Sequence, residues 1–385
     1  MKFRFDVPEL QKRLKQLSAV VARKAYEPTY GLVRLSSDFG ILALLQGIDL
    51  DCTLTVTFAK DKGSADGAGG ILLDYRKLNT IIQNIDAKEV CISVTDERAT
   101  ISAGKFKYVM QGTSTSKFDE LGVVQTINDK PSGGYTIGLP GLKEQVEQVI
   151  FAIPKPDGKF IVPGVLLEST ADALRMVATD GFMIAISSVA ANFGEFSFVL
   201  PKLLLEFIMK LDGGPVVTIA DTEHYFYIQT ELELLTFPTT PHPFPPYKKV
   251  LPTSAANTMV TVDADELLRA VKQIRASYSP WEAEKHENAI DFTLRNGSLF
   301  IEDRNQQAQC QITDVVVRGQ NAAAFRLNAA RLIPFLKRVE GYITLSFISA
   351  STLVDFAAGP DYRFLQMPMR SDTAAAKSAA TSAGE

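Results

Sequence analysis

The sequence is poor in the residues that build covalent or metal cross-links. It contains three cysteines and three histidines in 385 residues. These are Cys52, Cys91, Cys310, His224, His242 and His286. No CxxC pair occurs, and no histidine has another histidine or a cysteine three or four residues away, so the spacing of a disulfide framework or a zinc site is missing. We expect no metal and no cofactor, and we expect the cysteines, which lie in strand-like runs, to be small buried thiols.

The sequence also lacks a long apolar run and a strong charge of one sign. No segment approaches the roughly 18–20 apolar residues of a membrane-spanning helix. The first residues, MKFRFDVPEL, lack the apolar stretch of a signal peptide, so we expect a cytoplasmic protein. The net charge of −4, from 40 basic and 44 acidic side chains, argues in bulk against a nucleic-acid binder. The distribution of charge along the chain is more informative than this total.

What the sequence does contain is an internal repeat. Three segments begin alike, with a short strand that leads through a turn into a helix. They are FDVPELQKRLKQL from Phe5, IGLPGLKEQVEQV from Ile137 and VDADELLRAVKQI from Val262. Their apolar residues recur at i, i+4 and i+7, which places one apolar stripe on each helix. The offsets between the copies are 132 and 125 residues.

A second strand–helix segment follows in each copy. LLDYRKLNTIIQNI, VLPKLLLEFIMKL and RLNAARLIPFLKRV place Leu78, Leu204 and Leu332 at offsets of 126 and 128 residues. Each is followed by two runs in which apolar and polar residues alternate. The runs are VCISV and ATISAG in the first copy, VVTIA and YFYIQT in the second, and ITLSF and LVDFAAG in the third. Alternation at period two is typical of half-buried antiparallel strands. The pattern predicts an α+β fold of three similar domains, each with two helices packed on antiparallel sheets.

The predicted domains are 1–130, 131–256 and 257–370, and their boundaries fall in turn-rich or small-residue stretches. A low-complexity tail, 371–385, follows them and is predicted to be disordered. The glycine-rich stretch 61–70 is predicted to be a flexible loop inside the first copy. It lacks the Lys-Ser/Thr pair that a phosphate-binding P-loop requires.

Positive charge is concentrated in the predicted helices. These are 9–20, 75–85, 140–151, 201–211, 265–276 and 328–339. They contain fourteen lysines and arginines against six aspartates and glutamates, although the chain as a whole is acidic. Helix surfaces favour glutamate as much as lysine, so helix propensity alone does not explain the bias. A shared basic helix face would suit a phosphate backbone and would read no base sequence.

Four motifs, in this order along a three-copy chain, make the sequence resemble the bacterial replicative sliding clamp, the β subunit of DNA polymerase III. They are MKF at the start, VLLESTADALRMVATDG at 165–181, FPPYKKVLP at 244–252 and MPMR at 367–370. The resemblance covers residues 1–370. It implies a head-to-tail homodimeric ring, with helices inside and sheets outside, that encircles duplex DNA and tethers the replicative polymerase. Processivity would then come from topology and effective concentration, and an ATP-driven clamp loader would open the ring.

The resemblance further implies a pocket that binds short peptides from the polymerase catalytic subunit, the clamp loader and other replication and repair proteins. Apolar walls would accept leucine and phenylalanine side chains, and a few polar groups would fix the peptide backbone. The matched positions are Val162, Thr179, Gly181, Phe182, Met183, Ile184, Pro245, Lys249, Val250, Asn328, Arg331, Leu353, Leu365, Met367, Pro368, Met369 and Arg370.

The sequence departs from the family pattern in two places. The family usually has His-Arg after ATDG, where this chain has Phe182 and Met183. The family usually has tyrosine at the position of Arg331. We therefore expect one wall of the pocket to be more apolar and another to be more cationic, with a changed preference for partner peptides.

For DNA contact, the positions matched to the family are Arg23, Lys24, Arg76, Lys77, Lys159, Phe160 and Lys202. Helix position alone adds Lys12, Arg269, Lys272, Arg275, Lys337 and Arg338. A solvated surface charge is the commoner role for any one of these residues. The prediction therefore concerns the set rather than any single member.

Two other functional classes, an enzyme and a protein-binding scaffold, are alternatives to the clamp. An enzyme would need a catalytic constellation, and the nearest candidates are Asp180 beside Glu168 with His224 as a base. No nucleophile–base arrangement supports this hypothesis, and Asp180-Gly181 is typical of a turn, so we assign no catalytic residue. A repeat-domain scaffold that binds only proteins is the remaining alternative. It predicts no closed ring and no salt-dependent DNA contact.

Overall fold

The computed structural model describes most of the chain. The described residues are 1–18, 20–21, 28–38, 42–49, 52–119, 134–154, 164–191, 193–221, 225–238, 244–279, 281, 288–305, 307–320 and 322–369. The predicted tail, 371–385, lies outside this set. No helix in the described ranges is long and apolar enough to cross a membrane.

The chain divides into two compact units. The first unit comprises Met1–Lys143 and Leu203–Pro241, and the second comprises Glu144–Lys202 and His242–Glu385. Each unit is built on two antiparallel sheets, and each draws its strands from more than one of the predicted copies.

The first unit contains a five-stranded and an eight-stranded sheet. The five-stranded sheet has, in spatial order, β5 (Gly63–Asp66), β1 (Lys2–Asp6), β7 (Glu89–Thr95), β8 (Arg98–Ala103) and β9 (Phe106–Gln111). The eight-stranded sheet has β10 (Tyr135–Gly138), β15 (Val216–Asp221), β16 (Tyr225–Gln229), β17 (Glu233–Pro238), β4 (Cys52–Thr57), β3 (Leu42–Asp49), β2 (Leu32–Asp38) and β6 (Gly69–Asp74). In the larger sheet, β17 pairs with β4, which joins strands of the first and second copies.

The second unit contains a nine-stranded and a four-stranded sheet. The nine-stranded sheet has β14 (Phe196–Pro201), β11 (Gly164–Ser169), β12 (Ala173–Thr179), β13 (Met183–Ala190), β26 (Tyr362–Gln366), β25 (Val354–Ala358), β24 (Tyr342–Phe347), β18 (Thr258–Asp263) and β22 (Val315–Gly319). The four-stranded sheet has β21 (Gln309–Ile312), β20 (Ser298–Asp303), β19 (Ala289–Arg295) and β23 (Ala323–Asn328). Here β13 pairs with β26, which joins strands of the second and third copies.

All six predicted helices form, and a further short helix appears. The helices in the described part of the chain are α1 (Val7–Leu17), α2 (Tyr75–Gln83), α3 (Ser116–Asp119), α4 (Leu139–Val149), α5 (Lys202–Ile208), α6 (Ala264–Ala276) and α7 (Ala329–Leu336). Short 3₁₀ turns lie at Pro28–Gly31, Ile150–Ala152 and Tyr247–Lys249. The six predicted alternating runs are also strands, and they pair antiparallel within each copy.

Four of the strand–helix turns use the same cap. The side chains of Asp6, Asp74, Asp263 and Asn328 each accept a hydrogen bond from a backbone N–H three residues further on. A short acceptor side chain at this position satisfies an N–H group that the first helical turn leaves unpaired, which typically stabilises a helix by about 1 kcal/mol. The repeat is therefore visible in the chemistry of the turns as well as in the apolar stripes.

The apolar stripe of α1 is buried as its spacing predicts. Leu10, Leu14 and Leu17 are inaccessible to solvent. The Tyr75 hydroxyl of α2 donates to the Leu14 carbonyl at 2.9 Å. The Gln11 amide donates to a carbonyl at the end of α2, so polar contacts hold the two helices together beside their apolar contact.

Two predictions are wrong in detail. The stretch 61–70 is not a loop, because β5 and the first residues of β6 lie within it. The cysteines lie in strands, as expected, but Cys52 alone is buried, whereas Cys91 and Cys310 are partly accessible. In the first case neighbouring strands decide the outcome, because β1 pairs with β5 and β2 pairs with β6.

Candidate functional site

A tight turn between β12 and β13 presents an exposed aromatic ring. The Asp180 carboxylate accepts hydrogen bonds from the backbone N–H groups of Phe182 and Met183, at 2.8 and 2.9 Å. The Thr179 hydroxyl donates to the Met183 carbonyl at 2.7 Å. Gly181 has a φ of +87°, a left-handed conformation that favours glycine. The turn is therefore fixed by four residues, and the Phe182 side chain remains 59% exposed.

Arg331, in the first turn of α7, meets this turn. Its Nε lies 2.9 Å from the second Asp180 carboxylate oxygen. Its guanidinium lies 4.7 Å from the centre of the Phe182 ring, in cation–π geometry. Phe182 and Arg331, which both depart from the family pattern, are therefore in direct contact.

The segment that follows β26 is fixed from both sides. The Met367 N–H donates to the Phe182 carbonyl, and the Met369 N–H donates to the Arg326 carbonyl, both at 2.8 Å. The Gln366 amide donates to the Asn328 carbonyl at 3.1 Å. The backbone is held in this way while the Met367 side chain stays 45% exposed.

An apolar cluster lies beside these strands. Its buried members are Leu166, Val177, Ile184, Ile186, Tyr247 and Leu365. Partly buried Val199, Phe244, Leu251 and Leu353 pack against it. The cluster combines side chains from the nine-stranded sheet with the Phe244–Leu251 segment, and it gives the site an apolar base.

Tyr247 anchors the Phe244–Leu251 segment. Its hydroxyl donates to the Glu168 carboxylate, which also pairs with Lys248 at 3.0 Å. Burial, together with this hydrogen bond and the negative charge of Glu168, raises the pKa of Tyr247 above its usual value. The hydroxyl therefore stays protonated as a donor, while the neighbouring Lys249 and Val250 remain exposed.

Contacts in the second unit bring together most of the predicted pocket residues. The turn, α7 and the end of β26 connect Thr179, Gly181, Phe182, Met183, Asn328, Arg331, Met367, Pro368 and Met369. Ile184, Leu353 and Leu365 belong to the apolar cluster, and Pro245, Lys249 and Val250 flank its Tyr247. Val162 and Arg370 lie outside the described residues.

The pocket predicted from the sequence omitted two residues that organise the site, Tyr247 and Glu168. The sequence suggested Glu168 only as a catalytic candidate. Both residues lie within the motifs FPPYKKVLP and VLLESTADALRMVATDG, so the motifs contained a usable signal. The weak catalytic alternative gains nothing from the structure. Asp180 is engaged by its turn and Arg331, Glu168 is engaged by Tyr247 and Lys248, and His224 is not among the described residues.

The predicted DNA-contact residues fall into three groups. The first group is exposed on helices or at their ends, and it consists of Lys12, Arg76, Lys77, Lys202, Arg269, Lys272, Arg275 and Lys337. On α6, Arg269, Lys272 and Arg275 follow one another at intervals of three, which forms a basic row along one side. The second group, Arg23, Lys24, Lys159 and Phe160, lies outside the described residues.

The third group is Arg338, whose guanidinium the fold itself uses. Two helix cations outside the predicted set, Arg13 and Lys143, are used in the same way. Arg13 is only 2% exposed and pairs with Glu233 and Asp212. Lys143 donates to the Leu211 carbonyl. Arg338 donates to the Glu147 and Pro334 carbonyls. The excess of basic residues in the helices is therefore partly structural, and the exposed basic set is smaller than the sequence count.

Antiparallel sheets with strand–helix units that repeat along the chain define a protein of the DNA-clamp fold class. Two family models match the chain. They describe the DNA polymerase III beta subunit N-terminal domain, over residues 1–122, and the DNA polymerase III beta subunit central domain, over residues 137–237. The matches together cover more than half of the chain, which belongs to the DNA polymerase III beta subunit family.

Individual relatives agree with this assignment. The beta sliding clamp of Synechococcus elongatus is 26% identical over 296 residues, which are 74% of this chain and 75% of that protein. The beta sliding clamp of Pseudomonas putida is 25% identical over 385 residues, 96% of this chain and 100% of that protein. The solved DNA polymerase sliding clamp of Bacillus subtilis has a TM-score of 0.85 at 18% identity and covers 96% of this chain and 99% of that one. This last likeness establishes the fold.

Proposed function

We propose that the chain is a sliding clamp that encircles duplex DNA, tethers the replicative polymerase and other DNA-processing proteins, and so confers processivity. The observation that carries this proposal is the set of exposed cations on the helices of a chain that belongs to the beta subunit family. The exposed pair Arg76 and Lys77 on α2 and the basic row on α6 suit sequence-independent contact with phosphates. The protein acts without a cofactor and without a catalytic centre of its own, in the cytoplasm.

The proposed assembly is a head-to-tail homodimeric ring of three similar domains per chain, 1–130, 131–256 and 257–370. The strand β9 supports a second copy as the partner, because it forms one edge of the five-stranded sheet. It exposes Phe106, Tyr108 and Val109. An exposed edge strand with apolar side chains invites pairing with another chain. The strand β21, an edge of the four-stranded sheet, is a candidate for the complementary edge.

The proposed peptide pocket is the surface formed by the Asp180 turn, the start of α7, the end of β26 and the apolar cluster. A concave or flat apolar base with a few fixed polar groups is the usual chemistry of peptide recognition. The exposed methionine Met367 adapts to different side chains, which suits several partners. The polymerase catalytic subunit, the clamp loader and repair proteins would bind here through short motifs.

Retention on circular DNA tests the proposal directly. The protein is loaded onto nicked circular duplex DNA with the clamp loader of its own organism, and the DNA-bound fraction is separated by gel filtration. A clamp stays on the circle and is lost when a restriction enzyme linearises the DNA. Equal retention on linear DNA would indicate ordinary binding, and no retention on either form would favour the protein-only scaffold.

Charge reversal tests the basic helix residues. Changing Arg76, Lys77 and Lys202 to glutamate should reduce loading by at least about tenfold, because each lost phosphate contact weakens an electrostatic interaction. The matched control changes Lys60, Lys88 and Arg318 to glutamate. These residues are exposed outside the helices, and their reversal alters the net charge equally. Equal loss in both triple variants would mean that net charge, rather than the helix face, governs loading.

A further inference from the structure

The Asp180 carboxylate, beside Phe182 and Arg331, uses both of its oxygens as hydrogen-bond acceptors. One Asp180 oxygen accepts from the N–H groups of Phe182 and Met183, and the other accepts from Arg331 Nε. The backbone bonds and the salt bridge fix the carboxylate, and the ring of Phe182 supports the guanidinium plane. Arg331 is therefore held in position from two directions, although its side chain remains 29% exposed.

The outer part of the Arg331 guanidinium is still available. Its Nε is used by Asp180, but its two Nη groups have no hydrogen-bond or ion-pair partner among the residues that the structure describes. An arginine fork can bind a carboxylate through two parallel N–H···O bonds. A guanidinium that is already ordered loses less side-chain entropy on binding than a free one.

This guanidinium lies at one end of an apolar surface. Ile184 pairs with Leu365 in the sheet. The Met367 N–H, two residues after Leu365, donates to the carbonyl of Phe182, two residues before Ile184. Ile184 and Leu365 belong to the apolar cluster, and Phe182 and Met367 lie just beyond the ends of the two paired strands. Ile184 and Leu365 are buried, so a peptide at this surface meets the exposed Phe182 and Met367 side chains, with the fixed guanidinium beside the Phe182 ring.

We propose that Arg331, held by Asp180 and Phe182, is a specificity-determining residue that makes this surface select peptides carrying an aspartate or glutamate beside an apolar side chain. The proposal rests on the proposed peptide pocket. The exposed Lys249, beside Tyr247, adds positive charge to the same site. The only acidic group of the Asp180 turn is already paired with Arg331, so repulsion of an incoming carboxylate is reduced.

The test uses fluorescein-labelled nine-residue peptides with one leucine and one phenylalanine two residues apart. In one series aspartate is placed at each remaining position in turn. In a matched second series asparagine replaces aspartate at the same position, so that each aspartate peptide has an asparagine twin. Binding to the full-length protein is measured by fluorescence anisotropy. The best aspartate peptide should bind about fivefold to tenfold more tightly than its asparagine twin in 50 mM salt, as expected for one charge-assisted contact. The ratio should fall toward one in about 500 mM salt.

Three variants distinguish a specific contact from net charge. Arg331→Gln and Arg331→Tyr, the second of which restores the usual family residue, should bring the aspartate-to-asparagine ratio to about one while the asparagine peptide still binds. The matched control Lys337→Gln removes one exposed charge at the end of the same helix and should leave the ratio unchanged. Circular dichroism melts of all variants report whether the protein as a whole remains folded.

The outcomes separate the two proposals. Equal binding of the twin peptides by the unmodified protein, or an unchanged ratio in Arg331→Gln, would overturn the selectivity while leaving the pocket intact. If no peptide of either series binds, both the pocket and the selectivity are wrong. If Lys337→Gln lost the preference for aspartate to the same extent, general electrostatic attraction, and not the fixed guanidinium of Arg331, would explain the preference.

Discussion

Helices α1 and α4 occupy equivalent places in the repeat but make different polar contacts. In α1, Arg13 donates to Glu233 at 2.7 Å and to Asp212 at 2.8 Å. Gln16, one turn later, donates to Glu233 and to the Lys210 carbonyl. All of these residues belong to the first unit, and they tie α1 to a segment about 200 residues further along the chain.

In α4, the residues at the same repeat positions are both glutamines. Gln145 is buried and donates to the Leu174 and Ser187 carbonyls at 3.2 and 3.4 Å. The side-chain amide oxygen of Gln148 accepts from the Ser187 hydroxyl at 2.6 Å, and the backbone carbonyl of Gln148 accepts from the Tyr362 hydroxyl at 2.7 Å. These contacts lie within the second unit and involve no charged group.

The difference shows that the same helix position can hold a buried ion pair in one copy and an uncharged hydrogen-bonding side chain in another. Glu233 is completely buried, so its charge is compensated by Arg13 and by hydrogen bonds from Thr230 and the Gly213 N–H. In the third copy the position of Arg13 is taken by Ala270, which is 1% exposed. Charge at this position therefore depends on its surroundings and not on the repeat. A buried charge makes its partner indispensable, whereas a buried amide does not.

Replacing Arg13 by alanine should have the largest effect. It leaves buried Glu233 without its nearby countercharge, and breaking one side of a buried ion pair typically costs about 3–5 kcal/mol. We expect a loss near the lower end, about 3 kcal/mol, because Glu233 keeps its backbone N–H and Thr230 hydrogen bonds. Urea unfolding, with hydrogen exchange to locate the change in the first unit, measures it.

Lys15→Ala is the matched control for this variant. Lys15 lies two residues away on the same helix and is exposed, so its removal should leave the unfolding midpoint unchanged. A loss below about 1 kcal/mol in Arg13→Ala would contradict the view that the ion pair is indispensable. The comparison between α1 and α4 would then lose its physical basis.

Replacing Tyr362 by phenylalanine should have an intermediate effect. The lost hydrogen bond to the Gln148 carbonyl is worth about 1 kcal/mol at neutral pH. Burial raises the pKa of Tyr362 above its usual value near 10, so the folded state favours the protonated hydroxyl. The stabilisation is therefore complete below pH 10 and is lost as pH rises above it.

Urea unfolding at a series of alkaline pH values measures this dependence. The unmodified second unit should lose stability above pH 10, and Tyr362→Phe should show a shallower decline. The decline should persist in part, because Tyr247 and Tyr278 in the same unit also have raised pKa values. Parallel curves for the two proteins would show that Tyr362 ionises equally in the folded and unfolded chains.

Replacing Gln145 by leucine should have the smallest effect. Its two hydrogen bonds are long, and its amide oxygen has no partner among the described residues. Exchanging such an amide for an apolar group of similar size should change the free energy of unfolding by about 0.5 kcal/mol or less. A loss comparable to that of Arg13→Ala would mean that the two helices are equally dependent on their polar contacts.

The helices and strand pairs were predictable because their signals are local. Apolar spacing and the capping side chains Asp6, Asp74, Asp263 and Asn328 act within one or two turns. The family, predicted from four motifs, and the fold class, predicted from the repeat and the alternation of its strands, are confirmed. The loop predicted for 61–70 was wrong because it rested on glycine content, whereas pairing with strands distant in the sequence overrides local composition. The domain boundaries stay predictions.

The candidate site was predictable only as a set of positions. Its members came from the resemblance, and the structure adds the contacts among them that no local pattern contains. Phe182 and Arg331 were recognised as separate departures, but their contact joins residues about 150 positions apart. Arg13 was counted only as one of the helix cations for the same reason, because its acidic partners are about 200 residues away.

The sequence by itself determined the repeat, the positions of the helices and their caps, the alternation of the strands and the family, because each depends on residues that are close along the chain or on ordered motifs. The tertiary structure alone decided which cations remain exposed, which glycine-rich segment becomes a strand, and which carboxylate each arginine meets. These outcomes depend on burial and on partners brought together from distant segments. Solvent exposure and charge pairing are properties of the folded arrangement, and a residue's type does not fix them.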